Sequence, residues 1–206
     1  MSDIHGQSMD PNIWGPCIWS ILFYISVNID LKENMQALLK LYSDIQRLLP
    51  CSHCRRHYST YVLQIPPTKN IKTSNPTSAV EWLWTIHDMV NQNLGKYCVD
   101  YEKVIRRTKF MTCTVSDSDI TDMIILVWYA GKNKEKTVLA LKNMMSLLKS
   151  IHEFHVCRVF DDICKDVNVW NTSIMLQLMN RVCLHHGFKQ ESLDELEARI
   201  RHAIAV

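Results

Sequence analysis

The stretch EWLWTIHDMVNQNLGK, residues 81–96, decides how the first half of this chain is built. Trp84, His87, Asn91 and Leu94 recur three and four apart, which places them on one face of a helix. Glu81, Asp88 and Gln92 fall together on another face, suited to solvent. Gly95 and Lys96 supply C-terminal stop signals, and the Ser, Thr and Asn residues of 73–78 an N-terminal one. A helix is therefore expected from about Thr77 to Gly95. A histidine and an asparagine on a half-buried face need hydrogen-bond partners. The backbone of a neighbouring helix would serve, and so would a flat polar cofactor lying along the face.

The same helical period recurs outward from this segment, whereas alternating β-branched residues are scarce and all six prolines lie at or before Pro76. The fold class is accordingly all-α. Helices are expected near 11–27, 32–49, 51–64 and 77–95, with a short fifth at about 100–107. Further ones are expected near 119–130, 134–164 (one helix or two), 170–186 and 190–204. TCTVSDSDIT, residues 112–121, reads as a loop with a helix N-cap. It divides a five-helix unit, residues 1–110 (a four-helix bundle plus the short fifth helix), from a helical C-terminal region, residues 111–206, to which no motif gives a role. Apolar stripes in that region, such as Val138, Leu141, Met145 and Leu148, need burial. They are expected to pack on the first unit or to extend an interface between two copies.

A formal net charge of +2 supplies no polyanion-binding surface, so no nucleic-acid partner is expected. The short basic clusters CRRH and IRRTK read as solvated helix faces or ends. The apolar run from Ile18 to Ile29 contains Ser20, Ser26 and Asn28 and is too short to span a bilayer. No Lys or Arg precedes Lys32, so the run lacks the positive flank of a signal peptide. These features lead to the expectation of no membrane partner and of a cytoplasmic or virion-interior protein. Eight cysteines are too sparse here for a disulfide-stapled secreted scaffold, and only Cys51 and Cys54 form a close motif.

That motif lies in LLPCSHCRRHY, residues 48–58. If Cys51 opens a helix after Pro50, its sulfur sits beside unpaired backbone N–H groups at the positive end of the helix, which favours thiolate. Cys54, three positions on, shares its face and can close a disulfide with it. A redox dithiol, half of a zinc site (Cys51, Cys54 and His57) and plain core packing all fit the spacing. The zinc reading lacks a fourth ligand from a second pair. WGPCIWSILFY, residues 14–24, sets Trp14, Ile18 and Ile21 on one stripe and the pair Trp19 and Phe23 on another face. This helix is apolar almost all round, so it is buried on two sides; an aromatic wall against a flat ring and an ordinary core both satisfy that.

Together WGP-x-x-W-x-x-L, PCSHC and HDMVN-x-x-LGK, in that order and at these separations, resemble the flavin-linked sulfhydryl oxidases of the Erv/ALR type. They are most similar to those carried by large cytoplasmic DNA viruses. The resemblance spans about residues 10 to 108 and implies a five-helix fold holding non-covalent FAD. It further implies Cys54 as the thiol against the isoalloxazine and Cys51 as the outer thiol that exchanges with substrate. Gly15, Trp19, Phe23, His87, Val90, Asn91 and Lys96 are then expected at the cofactor, with protein dithiols and molecular oxygen as reactants and a homodimer as the assembly. Three positions depart from the family pattern: Phe23 stands for a histidine, Asp88 for an asparagine and Pro16 for an arginine. The positions of the cellular members' extra structural disulfide fall at Trp84 and Tyr101. The runner-up is a non-catalytic helical adaptor binding zinc through Cys51, Cys54 and His57.

Overall fold

A computed structural model describes residues 10–97, 100–103, 115–130, 135–165 and 172–185, together with residues 106, 192, 194, 195 and 198. Among the described residues the chain is helical, with no strand. The first unit comprises α1 (Pro11–Asn28), α2 (Leu31–Leu48), α3 (Ser52–Gln64), the single turn α4 (Pro67–Asn70) and α5 (Ser78–Asn93). Then follow α6 (Asp117–Ala130), α7 (Glu135–Ile151), α8 (His155–Cys164) and α9 (Thr172–His185).

Local chemistry sets the helix limits. The Asp10 carboxylate accepts from Asn12 N at 2.8 Å and Asp30 from Lys32 N at 2.8 Å, capping α1 and α2. Pro50 separates α2 from α3, and Pro66 with Pro67 separates α3 from α4. Gly95 takes φ +66°, with Gly95 N bonded to Gln92 O at 3.0 Å and Lys96 N to Asn91 O at 2.9 Å. This is a Schellman closure of α5, and it needs a residue that tolerates positive φ. The double proline starts a turn of helix rather than merely ending one, so α4 was absent from the expected set. α1 begins at Pro11 as expected, and Pro16 lies inside it. The expected helix near 100–107 is seen only at residues 101–103 and 106, and that near 190–204 lies almost entirely outside the described residues. The segment expected at 134–164 is two helices, broken at 152–154.

Within the first unit α1 packs on α5, α2 on α3, and α3 on α5. A buried polar joint fixes these crossings. Ser26 Oγ donates to Leu22 O at 2.6 Å, which leaves its oxygen to accept from the Tyr42 hydroxyl, also at 2.6 Å. Tyr58 donates to Tyr42 O at 2.6 Å, the Tyr42 ring lies 4.5 Å from that of Trp82, and Trp82 Nε1 donates to Ile65 O at 2.8 Å.

Of the C-terminal helices, α6 and α7 lie on the outer sides of α1 and α2, and α8 and α9 pack on them. α7 runs antiparallel along α2: Thr137 Oγ1 donates to Arg47 O at 3.4 Å and Asn143 Nδ2 to Ala37 O at 3.1 Å. α6 packs on α1, where Cys17 Sγ reaches Asp119 O at 3.3 Å, and the ring of Phe154 meets Tyr24 edge-on at 5.9 Å. Val138, Leu141, Met144, Met145 and Leu148 are buried in one hydrophobic cluster continuous with that of the first unit.

Deleting residues 111–206 should uncover the outer sides of α1 and α2. The 1–110 fragment is expected to aggregate or change its association state, as read by light scattering beside the full chain. A fragment that stays soluble with an unchanged association state would mean that the covered faces need no partner.

Candidate functional site

Three elements of the first unit, α1, α3 and α5, converge on a cavity of about 510 Å³. α1 contributes Trp14, Gly15, Trp19 and Phe23 to its lining; α3 contributes His53, Cys54, His57 and Tyr61. The segment from α5 contributes His87, Val90, Asn91, Asn93, Leu94 and Lys96. The residues expected at a cofactor from the resemblance, with Cys54, therefore line one cavity; Cys51 lies next to it, and Trp84, read on the same helical face as His87, is not part of the lining.

Cys51 and Cys54 form a disulfide, with Cα atoms 5.2 Å apart. Cys51 is the N-cap of α3, its sulfur accepting from Cys54 N at 3.1 Å, so the pair sits at the positive end of the helix. Cys54 faces the cavity, whereas Cys51 is 4 % exposed and belongs to the hydrophobic cluster. As a disulfide neither sulfur offers the thiolate that zinc requires. Among the described residues no group of three His, Cys, Asp or Glu side chains is placed to hold a metal ion.

The aromatic floor comes from helical spacing. Trp19 and Phe23, four apart on α1, lie with ring centroids 6.4 Å from each other and 4.5 Å and 5.6 Å from the His87 ring. Asn91 Nδ2 lies 3.4 Å from His87 Nε2, and Asn91 is 8 % exposed. Burial is the main cause that depresses the His87 pKa to about 4; Lys96 adds to the effect and Asp88 opposes it. His87 is thus neutral at neutral pH and able both to donate and to accept. Lys96 Nζ donates to Asn12 Oδ1 at 2.6 Å, which ties the end of α5 to the start of α1. A Cβ on Gly15 would meet only Trp19 Cδ1, at 3.9 Å, so the space above Gly15 opens to the cavity.

Several lining residues were not expected there. Trp14 was read as core stripe; it is 4 % exposed and still lines the cavity. The His53 and His57 rings lie 4.0 Å apart with their planes inclined by 50°, and His57 Nδ1 is 2.8 Å from Asn93 Nδ2. The spacing of 53 and 57 announced a shared face, but nothing in the sequence pointed to Asn93 as the partner. Asp88, expected in solvent, accepts from Gln92 Nε2 at 2.7 Å through Oδ2, while its Oδ1 is buried without a hydrogen bond among the described residues. Burial pushes the thiols of Cys17 and Cys157 up to about 12 and that of Cys164 to about 11, so none is an effective nucleophile at neutral pH. Cys98 and Cys113 lie outside the described residues, as does the side chain of Cys183.

A helical bundle that presents a disulfide from a helix N-terminus to an aromatic-floored cavity defines a class of redox protein. The Erv1 / Alr family model matches residues 16–112. A probable FAD-linked sulfhydryl oxidase of Variola virus is 30% identical over 99 residues, covering 47% of this chain and 97% of that protein. A probable FAD-linked sulfhydryl oxidase of Acanthamoeba polyphaga mimivirus is 26% identical over 100 residues, 47% of this chain and 69% of its own length. An FAD-linked sulfhydryl oxidase of African swine fever virus is 26% identical over 113 residues, 52% and 91% respectively. The chain belongs to the Erv1 / Alr family. No solved structure gives a significant match.

His87 also carries a signed pH dependence. Its folded pKa, about 4, lies below the unfolded value of 6.5, so the unfolded chain takes up the proton first as pH falls. Stability is full above the unfolded pKa and drops as pH descends towards the folded one. Thermal melts should therefore show the wild type losing stability relative to His87→Gln between about pH 6.5 and about pH 4. A constant difference across that window would contradict a buried neutral His87.

Proposed function

We propose that this chain is an FAD-dependent sulfhydryl oxidase that makes disulfides in protein dithiols and passes the electrons to dioxygen. The observation that carries this reading is the Cys51–Cys54 disulfide, whose second sulfur lines a cavity floored by Trp19, Phe23 and His87, in a chain of the Erv1 / Alr family. The residues present suit the cofactor. An apolar aromatic floor fits a flat ring, Asn91 and neutral His87 offer hydrogen bonds to its polar edge, and Lys96 supplies a cation at the rim. Gly15 leaves room along the floor, and Val90 adds apolar lining. FAD, when bound, supplies the electron chemistry, accepting two electrons and delivering them to oxygen as hydrogen peroxide.

The chain's own part is thiol–disulfide exchange. A substrate thiolate attacks Cys51 Sγ, the Cys51–Cys54 bond breaks and Cys54 leaves as thiolate beside the helix N-terminus, which stabilises the charge. The second substrate thiol then attacks the substrate sulfur of the mixed disulfide and releases Cys51. The products are a substrate disulfide and a reduced Cys51/Cys54 pair carrying two electrons. Cys54 is assigned to the cavity side because it lines the cavity and Cys51 does not. Cys51 is 4 % exposed, so attack on its sulfur requires a protein substrate to displace the side chains that cover it.

Two copies are proposed to pair, on the family resemblance. α6 and α7 already cover the outer sides of α1 and α2, so the pairing would use another surface, and sedimentation of the full chain gives the association state. Action in the cytoplasm is proposed on the same resemblance, and free thiols at Cys17, Cys157 and Cys164 are compatible with a reducing compartment. No helix among the described residues is long and apolar enough to cross a membrane.

Purified protein should be yellow, release FAD on denaturation and consume oxygen with dithiothreitol. A colourless protein holding stoichiometric zinc would overturn the proposal in favour of the adaptor. Cys54→Ser should keep FAD and lose oxidase turnover, whereas Cys51→Ser should lose turnover on protein dithiols. His87→Ala and Asn91→Ala should each weaken flavin retention by about fivefold to tenfold, the worth of roughly one hydrogen bond. Oxidase rates equal in wild type and Cys54→Ser would reject the assignment of the two sulfurs.

A further inference from the structure

Between Asp44 and Glu81 the chain contains no acidic residue, yet it carries Arg47, Arg55, Arg56, Lys69 and Lys72. Arg47 is neutralised by Asp44 on α2. The other four take part in no ion pair among the described residues. Their placement is not explained by helix stability. α3 has no acidic residue in its first turn, where a carboxylate would be favourable, and Arg55 and Arg56 follow immediately at its positive end. Neither arginine is explained by the cavity, because neither lines it.

Their position relative to the disulfide is specific. Arg55 N donates to Cys51 O at 3.0 Å, so Arg55 stands one helical turn from Cys51, on the same side of α3. Arg56 is exposed, and Leu63, two turns further along its side, is 79 % exposed. Lys69 and Lys72 are exposed beyond the far end of the helix. The sulfur assigned to substrate attack therefore has uncompensated positive charge one turn along α3, and the exposed Leu63 stands near the far end of the same helix, about 18 Å on at 1.5 Å per residue.

We infer that the outer side of α3, from Arg55 and Arg56 towards Leu63, is the docking surface for the acidic flank of a protein dithiol. The inference rests on the oxidase reading and adds the substrate class to it: a cysteine pair set in an Asp- and Glu-rich segment. The positive potential raises the local concentration of such a segment at Cys51, and an apolar residue of the same segment covers Leu63. The effect is one of encounter, so it appears in kcat/KM at low ionic strength and fades once the Debye length falls below about 10 Å.

The test uses the full-length protein with FAD bound and two synthetic peptides that share one Cys-x-x-Cys and differ only in Glu-rich or Lys-rich flanks. Dithiothreitol serves as an uncharged reference. Wild type should prefer the acidic peptide by about tenfold or more in kcat/KM at low salt, with the preference largely lost at high salt. Arg56→Glu should lower the ratio of acidic peptide to dithiothreitol turnover, whereas Lys136→Glu, the same charge change on the exposed part of α7, should leave that ratio as in wild type. Equal turnover of the two peptides by an enzyme active on dithiothreitol would overturn the docking surface and leave the oxidase standing. An enzyme inert to dithiothreitol would overturn both. An equal shift in Arg56→Glu and Lys136→Glu would assign the preference to net charge and overturn the local surface. A duplex DNA that displaces the acidic peptide at far lower concentration would reassign the charges to nucleic acid and also overturn the inference.

Discussion

The buried contact between Tyr42 and Ser26 is the constraint from which the rest of the first unit follows. Tyr42 is fully buried, and burial drives the pKa of its phenol well up, so the hydroxyl stays a neutral donor whose natural acceptor is Ser26 Oγ. A buried hydroxyl left unpaired costs about 1–3 kcal/mol, and that of Tyr42 is placed between Ser26 Oγ of α1 at 2.6 Å and Ala79 O of α5 at 3.4 Å, which ties α2 to both helices. Tyr58 closes on the backbone of the same residue and Trp82 stacks on its ring, so α3 and α5 take their places from α2. Dispersion alone would tolerate several packings of these apolar faces; the polar joint selects one. The cavity is the space left between helices so fixed.

Within that frame the reactive corner is built by sequence-local means. Pro50 ends one helix, Cys51 caps the next, and the cap puts both sulfurs at unpaired N–H groups. The same corner removes Cys51 from solvent and turns Cys54 towards the cavity. One disulfide thereby acquires two unlike ends without any difference in residue type.

Much of this was legible in the sequence because it is periodic or local. The helices at 11–28, 31–48, 52–64 and 78–93 follow from apolar spacing and from Pro50, Pro66 and Gly95, whereas a common site for Trp19, Phe23, His87, Asn91 and Lys96 was implied only by the resemblance of the three motifs to the Erv/ALR oxidases. What escaped depends on tertiary placement. Asn93 finds His57 across thirty-six residues, and no pattern encodes that pairing. Asp88 looked like a solvent residue from its place on the helix, yet one of its oxygens is buried. The low exposure of Cys51 was equally hidden, because an N-cap position says where a sulfur points along the helix axis and nothing of what lies over it. The partner of the C-terminal stripes was left between two surfaces, since an amphipathic face states that it must be covered and not by what.

The position of α1 explains why the C-terminal region bears on the site. α1 is apolar nearly all round, with Ile21, Leu22 and Ile25 almost wholly inaccessible, so it cannot end the protein on any side. Trp19 and Phe23 face α5 and the cavity, whereas Cys17 and Tyr24 face α6 and Phe154. A helix held from two sides has its rotation set by both, because close-packed interfaces transmit small displacements rather than absorb them. α7 does the same for α2, and through Tyr42 for α3 and the disulfide corner. The helices after residue 117 thus take no part in the lining of the cavity and still help to fix the angle at which Trp19 and Phe23 present their rings to it.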